Sequence, residues 1–433
     1  MTGKQKKILT GAVFILGIVL HIFCTISASS VPERLLRPDS DGYLSPALAL
    51  AAGDGYPTTT RPPGYPLLAA AVYSCRGNNT VLAFCGMLAA IGACAITGFA
   101  AKEYGGKMCG IIATGLSLFH ITVIANAPLL LSDTLFFLFA ALQLWLFVLF
   151  YRRKKLRFVL ICAAIAAIGT LIRPINQLFI LPLTVLILCH PDLKIQKKLL
   201  ASGLAILIFI ALITPWMLRN YCAGATFAID TNTGAMRHQN GAMLMAEVNG
   251  TDFETEKSRL LAEESKLSFP DARSRENWRI GEFRRMVMAH PATYFKQHFD
   301  WRIFLPDAPT FLEDLGVTTA NRGTMGVLKH DGLTAACRHY FGRNWYWYIA
   351  ALLPLLLIVL LLYAASFMRL AADIRHWKKH WYELLLFLAF CEYYFFLPGA
   401  ITAPRYQLPA LPFLCTLAGC MIAHYVEKSS AEN

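Results

Sequence analysis

Residues 37–43 read RPDSDGY, and residues 58–68 read TTTRPPGYPLL. Acids, arginines, glycine and proline crowd together here, in a chain of 433 residues that is 56% hydrophobic and only 15% charged. Two readings compete: polar turns between membrane helices, or a reaction site at a membrane surface. The flanking sequence decides the fold first. Runs of about twenty apolar residues match the ~30 Å hydrocarbon layer of a bilayer. They place spans near 8–28, 79–101, 107–126, 131–151, 157–172, 175–190, 198–217, 347–367, 381–397 and 406–424. An all-α polytopic membrane protein of about ten transmembrane helices is therefore expected. The first run follows Lys4, Lys6 and Lys7, as a signal peptide would. Cleavage near ISASSVPERL would remove a span the topology needs, so it reads as an uncleaved anchor.

Charge sets the orientation. With the N-terminus in the cytoplasm, the inside loops hold 18 basic residues against 6 acidic ones, while residues 219–346 hold 16 and 15. Nearly all of the net +13 thus falls on one face, as the positive-inside rule requires. No nucleic-acid partner is needed to explain it. Both termini are expected in the cytoplasm of a plasma (inner) membrane protein. The chain divides into an N-terminal membrane module, 1–218, with an outer first loop at 29–76; an extracytoplasmic domain of mixed composition, 219–346; and a C-terminal membrane module, 347–433. GYPLLAAAVYSC (64–75) is apolar but too short to cross, so it should lie in the interface or dip and return. GEFRRMVMAHPATYFKQHF (281–299) has amphipathic spacing broken near Pro291. The twelve cysteines mostly fall inside spans; Cys75, Cys222 and Cys337 lie at or beyond the outer face, and their spacing leaves a disulfide open. NNT (78–80) and NGT (249–251) match the N-glycosylation triplet, a pattern that matters only in a eukaryotic lumen.

Helix-end polar residues that served only as caps would be divided between the two faces. The distinctive ones instead gather outside: Asp39, Asp41 and Arg61 in the first loop, Asp133 where the fourth span begins, Arg173 and Arg219 where the fifth and seventh end, and Arg405 where the tenth begins. Ionisable groups at membrane depth are costly and face a cavity or one another. Three carboxylates and four guanidiniums at one cavity point to anion binding with acid–base chemistry.

In order along the chain come PDSDGYLSPALALAAGDGYP (38–57), TTTRPPGYPLL, APLLLSDTLFF (127–137), LIRPINQLFILPL (171–183), TPWMLRNYCAGATF (214–227) and APRYQLPALPF (403–413). This series, across residues 8–424, resembles the GT-C superfamily of membrane glycosyltransferases. The nearest branch is that of protein mannosyltransferases and lipid A aminoarabinose transferases. The resemblance implies a sugar taken from a polyprenyl-phosphate carrier and given, with inversion, to a glycan, lipid or protein acceptor outside the cytoplasm. It implies Asp39, four residues before Tyr43, as general base or acceptor-positioning group, with Asp41 ranked behind it as the better helix cap and Asp133 as the second acid. Arg61 stands where the aminoarabinose branch has a carrier-phosphate Lys; Arg173, Arg219 and Arg405 are further phosphate candidates, and Tyr43, Tyr65 and Tyr406 position the loops. Thr60 replaces a metal-binding Glu of that branch, so no metal ligands are assigned and a divalent ion is left open. The residues agree with this chemistry on physical grounds. A carboxylate base gives about 10²–10⁴-fold, and arginine holds phosphate oxygens bidentately.

Each residue also has a plainer reading. Asp-Ser-Asp-Gly is good turn chemistry, Asp133 suits a helix start, and arginines anchor helices at interfaces. His290, His298, His330 and His339 show no metal-ligand spacing. No G-x-x-x-x-G-K-[ST] loop is present, which fits a lipid-linked donor rather than a cytoplasmic nucleotide sugar. A transporter or lipid flippase would explain the spans, but it usually places polar breaks at mid-membrane and shows internal repeats. An O-antigen polymerase or ligase would depend on a large late loop. A non-catalytic scaffold leaves the clustered charges unexplained.

Overall fold

The computed structural model describes residues 3–317 and 324–432. Residues 318–323, within the 219–346 segment, lie outside the described residues. The helices are α1 (Gly3–Ser29), α2 (Asp41–Ala52), α3 (Gly64–Ser74), α4 (Asn79–Gly105), α5 (Lys107–Leu118), α6 (Ile121–Asn126), α7 (Ser132–Arg153), α8 (Leu156–Ile172), α9 (Ile180–Leu188) and α10 (Ile195–Cys222). The 219–346 segment follows with α11 (Asn232–Ala235), α12 (Ala242–Asn249), α13 (Phe253–Ser265), α14 (Ala272–Ala289), α15 (Pro291–Lys296), α16 (Ala308–Asp314) and α17 (Thr324–Phe341). The chain ends with α18 (Trp345–Arg375), α19 (Trp377–Phe387), α20 (Tyr393–Phe396) and α21 (Leu411–Glu432). No strand occurs among the described residues. Among the described residues six helical runs are long and apolar enough to cross a bilayer: Lys7–Ser29, Asn79–Gly105, Ser132–Arg153, Ile195–Cys222, Trp345–Arg375 and Pro404–Ser429. The protein is a polytopic all-α membrane protein.

All ten expected spans are helical, but four are not single long helices. The 107–126 run is broken at Phe119 and His120 into α5 and α6, where apolar neighbours hide the break from a hydropathy reading. The 157–172 run is the short α8, and the 175–190 run is a 3₁₀ turn (Pro174–Leu178) followed by the short α9. The 381–397 run holds a π-helical stretch at Leu388–Glu392 between α19 and α20, a bulge of the kind that re-aims side chains within a helix. The first loop holds two short helices, α2 and α3, the second formed by the 64–75 stretch, and the amphipathic stretch breaks between α14 and α15 at Pro291. All twelve cysteines are free thiols.

Burial separates inner from outer helices. The hydrophobic windows of α7 and of Pro404–Ser429 are 67% buried, whereas those of α1 and α10 are only 22% buried. Helices α7 and α21 therefore form the centre, joined by α4, α5 and α8 in one core that includes Phe136, Phe147, Val159 and Phe413. Helices α1 and α10 turn aliphatic side chains outward, Leu16, Val19, Leu207 and Ile210 among them, as suits a lipid-facing surface. A second, smaller core binds α2 and α3 to Leu129, Leu130 and Leu131, just ahead of α7. It seats the first loop on the start of α7. Asp133 lies in the first turn of α7 and Arg152 and Arg153 in its last, about 30 Å apart at 1.5 Å per residue. The acid–arginine end and the lysine-rich end of the bundle are thus opposite.

Candidate active site

The first loop reaches the site through RPDSDGY. Ser40 precedes α2, its hydroxyl accepting from the Arg37 backbone N–H at 2.9 Å. Asp39 is left just outside the helix, its side chain 46% exposed. Arg61, from the second quoted stretch, lies with its guanidinium carbon 4.7 Å from the Tyr43 ring centre. Its Nη2 donates to Asp39 Oδ1 at 2.8 Å. Gly42 makes this possible: a Cβ there would stand 2.9 Å from Arg61 Nε. Gly64 likewise lets α3 start against the last turn of α8, since a Cβ there would meet the Leu171 carbonyl at 2.8 Å.

The bundle supplies the other half. Asp133, in the first turn of α7, is buried to 7% side-chain exposure and ion-paired to Arg173, which follows α8. The positive end of the α7 dipole supports that carboxylate. Arg405 opens the 3₁₀ turn Pro404–Ala410 ahead of α21 and joins the halves. Its Nη2 donates to Asp39 Oδ2 at 3.2 Å, and its Nε lies 3.7 Å from Asp133 Oδ1. That Nε is buried, and no acceptor among the described residues is within hydrogen-bonding distance of it. The guanidiniums of Arg173 and Arg405 lie 5.4 and 5.3 Å from the Tyr406 ring centre. A small pocket opens among them, lined by Asp133, Phe136, Arg173, Ile175, Arg405, Tyr406 and Pro409.

Tyr43 ties loop to bundle. Its hydroxyl accepts from Ser132 at 3.0 Å, and its ring meets Tyr65 edge-on at 5.5 Å. Burial works against the Arg61 cation, but Tyr43 and Asp39 beside it more than offset this and hold its pKa above the usual arginine value. Three cations and two anions thus share one chain of contacts, Arg61–Asp39–Arg405–Asp133–Arg173, with net charge +1.

The structure brings together Asp39, Asp133, Arg61, Arg173, Arg405, Tyr43, Tyr65 and Tyr406. It does not bring in Asp41, which starts α2 and accepts from the Ser45 hydroxyl at 2.8 Å. Arg219 stands one layer out. It donates to the carbonyl of Thr58 at 2.8 Å and to that of Tyr56, and packs over the Tyr56 and Trp216 rings. It clamps the first loop to the end of α10. Among the described residues no three His, Cys, Asp or Glu side chains gather as a metal site, and Thr60 is hydrogen-bonded to Thr58 at 2.8 Å.

Three contributors escaped the sequence reading. Ser132 could have been noticed as the neighbour of Asp133. Gln407 is a buried amide that pins the Arg405 turn, donating to the carbonyls of Pro404 at 2.8 Å and Leu305 at 3.0 Å. Asp230, buried in a segment with no motif, is near enough to help raise the Arg61 pKa. A Gly42→Ala change should displace the Arg61 guanidinium. That would loosen the Arg61–Asp39 hydrogen bond, and because the pair is partly exposed the expected cost is no more than about 1 kcal/mol, read as a small drop in melting temperature in nanodiscs.

Comparison with known proteins follows from this geometry. A family profile described as dolichyl-phosphate-mannose-protein mannosyltransferase matches residues 60–218, which run from the Arg61 stretch through most of α10. Among solved structures, the archaeal oligosaccharyltransferase AglB from Archaeoglobus fulgidus, in complex with an inhibitory peptide and a dolichol-phosphate, matches with a TM-score of 0.55. The chain shares the fold of that structure. The AglB match has 13% identity and covers 98% of this chain and 51% of that one. ArnT from Cupriavidus metallidurans bound to undecaprenyl phosphate also matches, at 13% identity and a TM-score of 0.46, over 98% of this chain and 61% of that one. The chain therefore spans about half to three fifths of the length of these structures. No curated protein matches it by sequence. The profile match holds Arg61, Asp133 and Arg173, while Asp39, Arg219 and Arg405 lie outside it.

Proposed function

We propose that this protein is a glycosyltransferase that moves a sugar from a polyprenyl-phosphate carrier to an acceptor on the extracytoplasmic side of the membrane. The observation that carries the reading is the arrangement at Arg405: one half-buried guanidinium that bridges both acids, its Nε 3.7 Å from Asp133 Oδ1 and making no hydrogen bond. A half-buried cation whose Nε is held only by a long ion pair, flanked by Arg61 and Arg173, suits a phosphate leaving group. The fold shared with AglB and the mannosyltransferase profile support the same class, and the lysine-rich opposite end supports an extracytoplasmic site.

The chemistry follows from the charges. An arriving phosphate competes with Asp39 for Arg61 and Arg405. As those cations turn to the phosphate, an Asp39 oxygen is freed towards the acceptor. The acceptor hydroxyl or amine attacks the anomeric carbon, Asp39 takes its proton, and the carbon–oxygen bond to phosphate breaks. The electron pair leaves with the phosphate oxygen, where Arg61, Arg173 and Arg405 stabilise it. A single displacement of this kind inverts the anomeric centre. Asp133 keeps Arg173 in place, and Arg219 holds the loop that carries Arg61. The donor's lipid tail enters sideways from the bilayer.

The test is turnover of purified protein in lipid nanodiscs, offered a panel of polyprenyl-phosphate sugars together with glycan, lipid and peptide acceptors. Release of polyprenyl phosphate matched by sugar on an acceptor is expected. Failure of every donor to bind would overturn the reading and put a transporter in its place.

A further inference from the structure

At the lysine-rich end, away from the acid–arginine chain, two thiols meet. Cys109 in the first turn of α5 and Cys420 on α21 have their Sγ atoms 3.1 Å apart. Cys109 is fully buried, and its thiol also donates to the Thr416 carbonyl at 3.5 Å. Cys420 is partly exposed and lines a cavity of about 290 Å³ together with Tyr104, Arg152 and Arg369. Gly105 also lines it; a Cβ at that position would collide with the Cys420 sulfur and crowd that of Cys109. The helix ends thus leave room for two sulfurs side by side, one reachable from the cavity and one behind it.

We infer that Cys420 and Cys109 form an oxidisable dithiol site, with Cys420 as the entry thiol for hydrogen peroxide and Cys109 as the resolving thiol. A disulfide needs the sulfurs at about 2.05 Å, so closure asks for a movement of about 1 Å from their present 3.1 Å. In the first step the Cys420 sulfur attacks one peroxide oxygen. The O–O bond breaks, and the departing hydroxide takes the thiol proton to leave as water, giving a sulfenic acid. The Cys109 sulfur then attacks that sulfenic sulfur; the S–O bond breaks, and the second proton leaves in a second water. Two thiols and one peroxide become one disulfide and two waters: sulfur is oxidised and peroxide oxygen reduced. A dithiol reductant reverses the change. The product ties α5 to α21, the helix that follows the Arg405 turn.

The experiment treats the intact protein in nanodiscs with dilute hydrogen peroxide, then alkylates free thiols and maps the peptides without reduction. A Cys109–Cys420 linked peptide is expected at tenfold or more above any other cysteine pair, lost on treatment with dithiothreitol. In Cys109→Ser, with no resolving thiol, Cys420 should carry a sulfenic acid that dimedone traps. The inference is overturned if Cys109 and Cys420 both stay alkylatable while the exposed Cys75 and Cys222 oxidise, or if Cys420 links to a different cysteine. None of these readouts depends on turnover, so they stand apart from the transferase assay.

Discussion

Asp39→Asn should lower sugar transfer by about 10²–10⁴-fold, the range for losing a positioned general base, while stability changes by no more than about 1 kcal/mol. The second half of that expectation rests on exposure. The Asp39 side chain is 46% exposed, and its contacts with Arg61 and Arg405 are half in water. Asparagine keeps the shape and one acceptor but cannot take a proton from the acceptor. Asp41→Asn is the matched control, two residues away with its oxygen on Ser45, and it should leave turnover unchanged. Progress curves of polyprenyl phosphate release, read beside thermal unfolding in the same nanodiscs, check both. Undiminished turnover in Asp39→Asn would move the base elsewhere, and an equal loss in Asp41→Asn would mean that the loop's fold, not the proton, had been disturbed.

Asp133→Asn should behave in the opposite way and destabilise the fold by about 3–5 kcal/mol, the usual result of stranding one partner of a buried ion pair. Asp133 is only 7% exposed and Arg173 only 19%. Removing the anion takes away the ion-pair partner of Arg173 and one of the two acids at Arg405, while both guanidiniums stay close to the Tyr406 ring. Lower yield and an earlier melting transition are the readouts. The double change Asp133→Leu with Arg173→Met removes both charges, and it should recover most of the lost stability without recovering activity. If the single variant melts like the parent, Asp133 is not a structural counter-charge and its role in the reaction must be the larger one.

The parts of this architecture readable from residues alone are those set by length and composition. A 22-residue apolar run such as Ser132–Arg153 has one outcome in a bilayer, and the lysine-rich loops fix which helix ends share a face. Hydropathy averages over a window, so the two-residue break at Phe119 and His120 was invisible, as was the π-helical stretch at Leu388–Glu392. The site shows the same limit at finer grain. Arg219 and Arg405 look alike in sequence, one arginine at each of two helix ends. Side-chain direction separates them: Arg219 turns to the backbone of the first loop, Arg405 to two carboxylates. Gly42 reads as a turn residue, and only packing shows that it makes room for Arg61. Gln407 and Asp230 carried no pattern at all, because a buried amide or acid is chosen by neighbours distant in sequence.

Arg405 lies 366 positions after Asp39 along the chain. A ribosome adding about 5–20 residues per second needs roughly 20–70 s to cover that distance. During that interval the first loop has Arg61 as the partner of Asp39 and is not yet bridged to Asp133. The contact between Asp39 and Arg405 is therefore among the last the growing chain can make. A chain that stops before Arg405 lacks the residue that joins the two halves of the site.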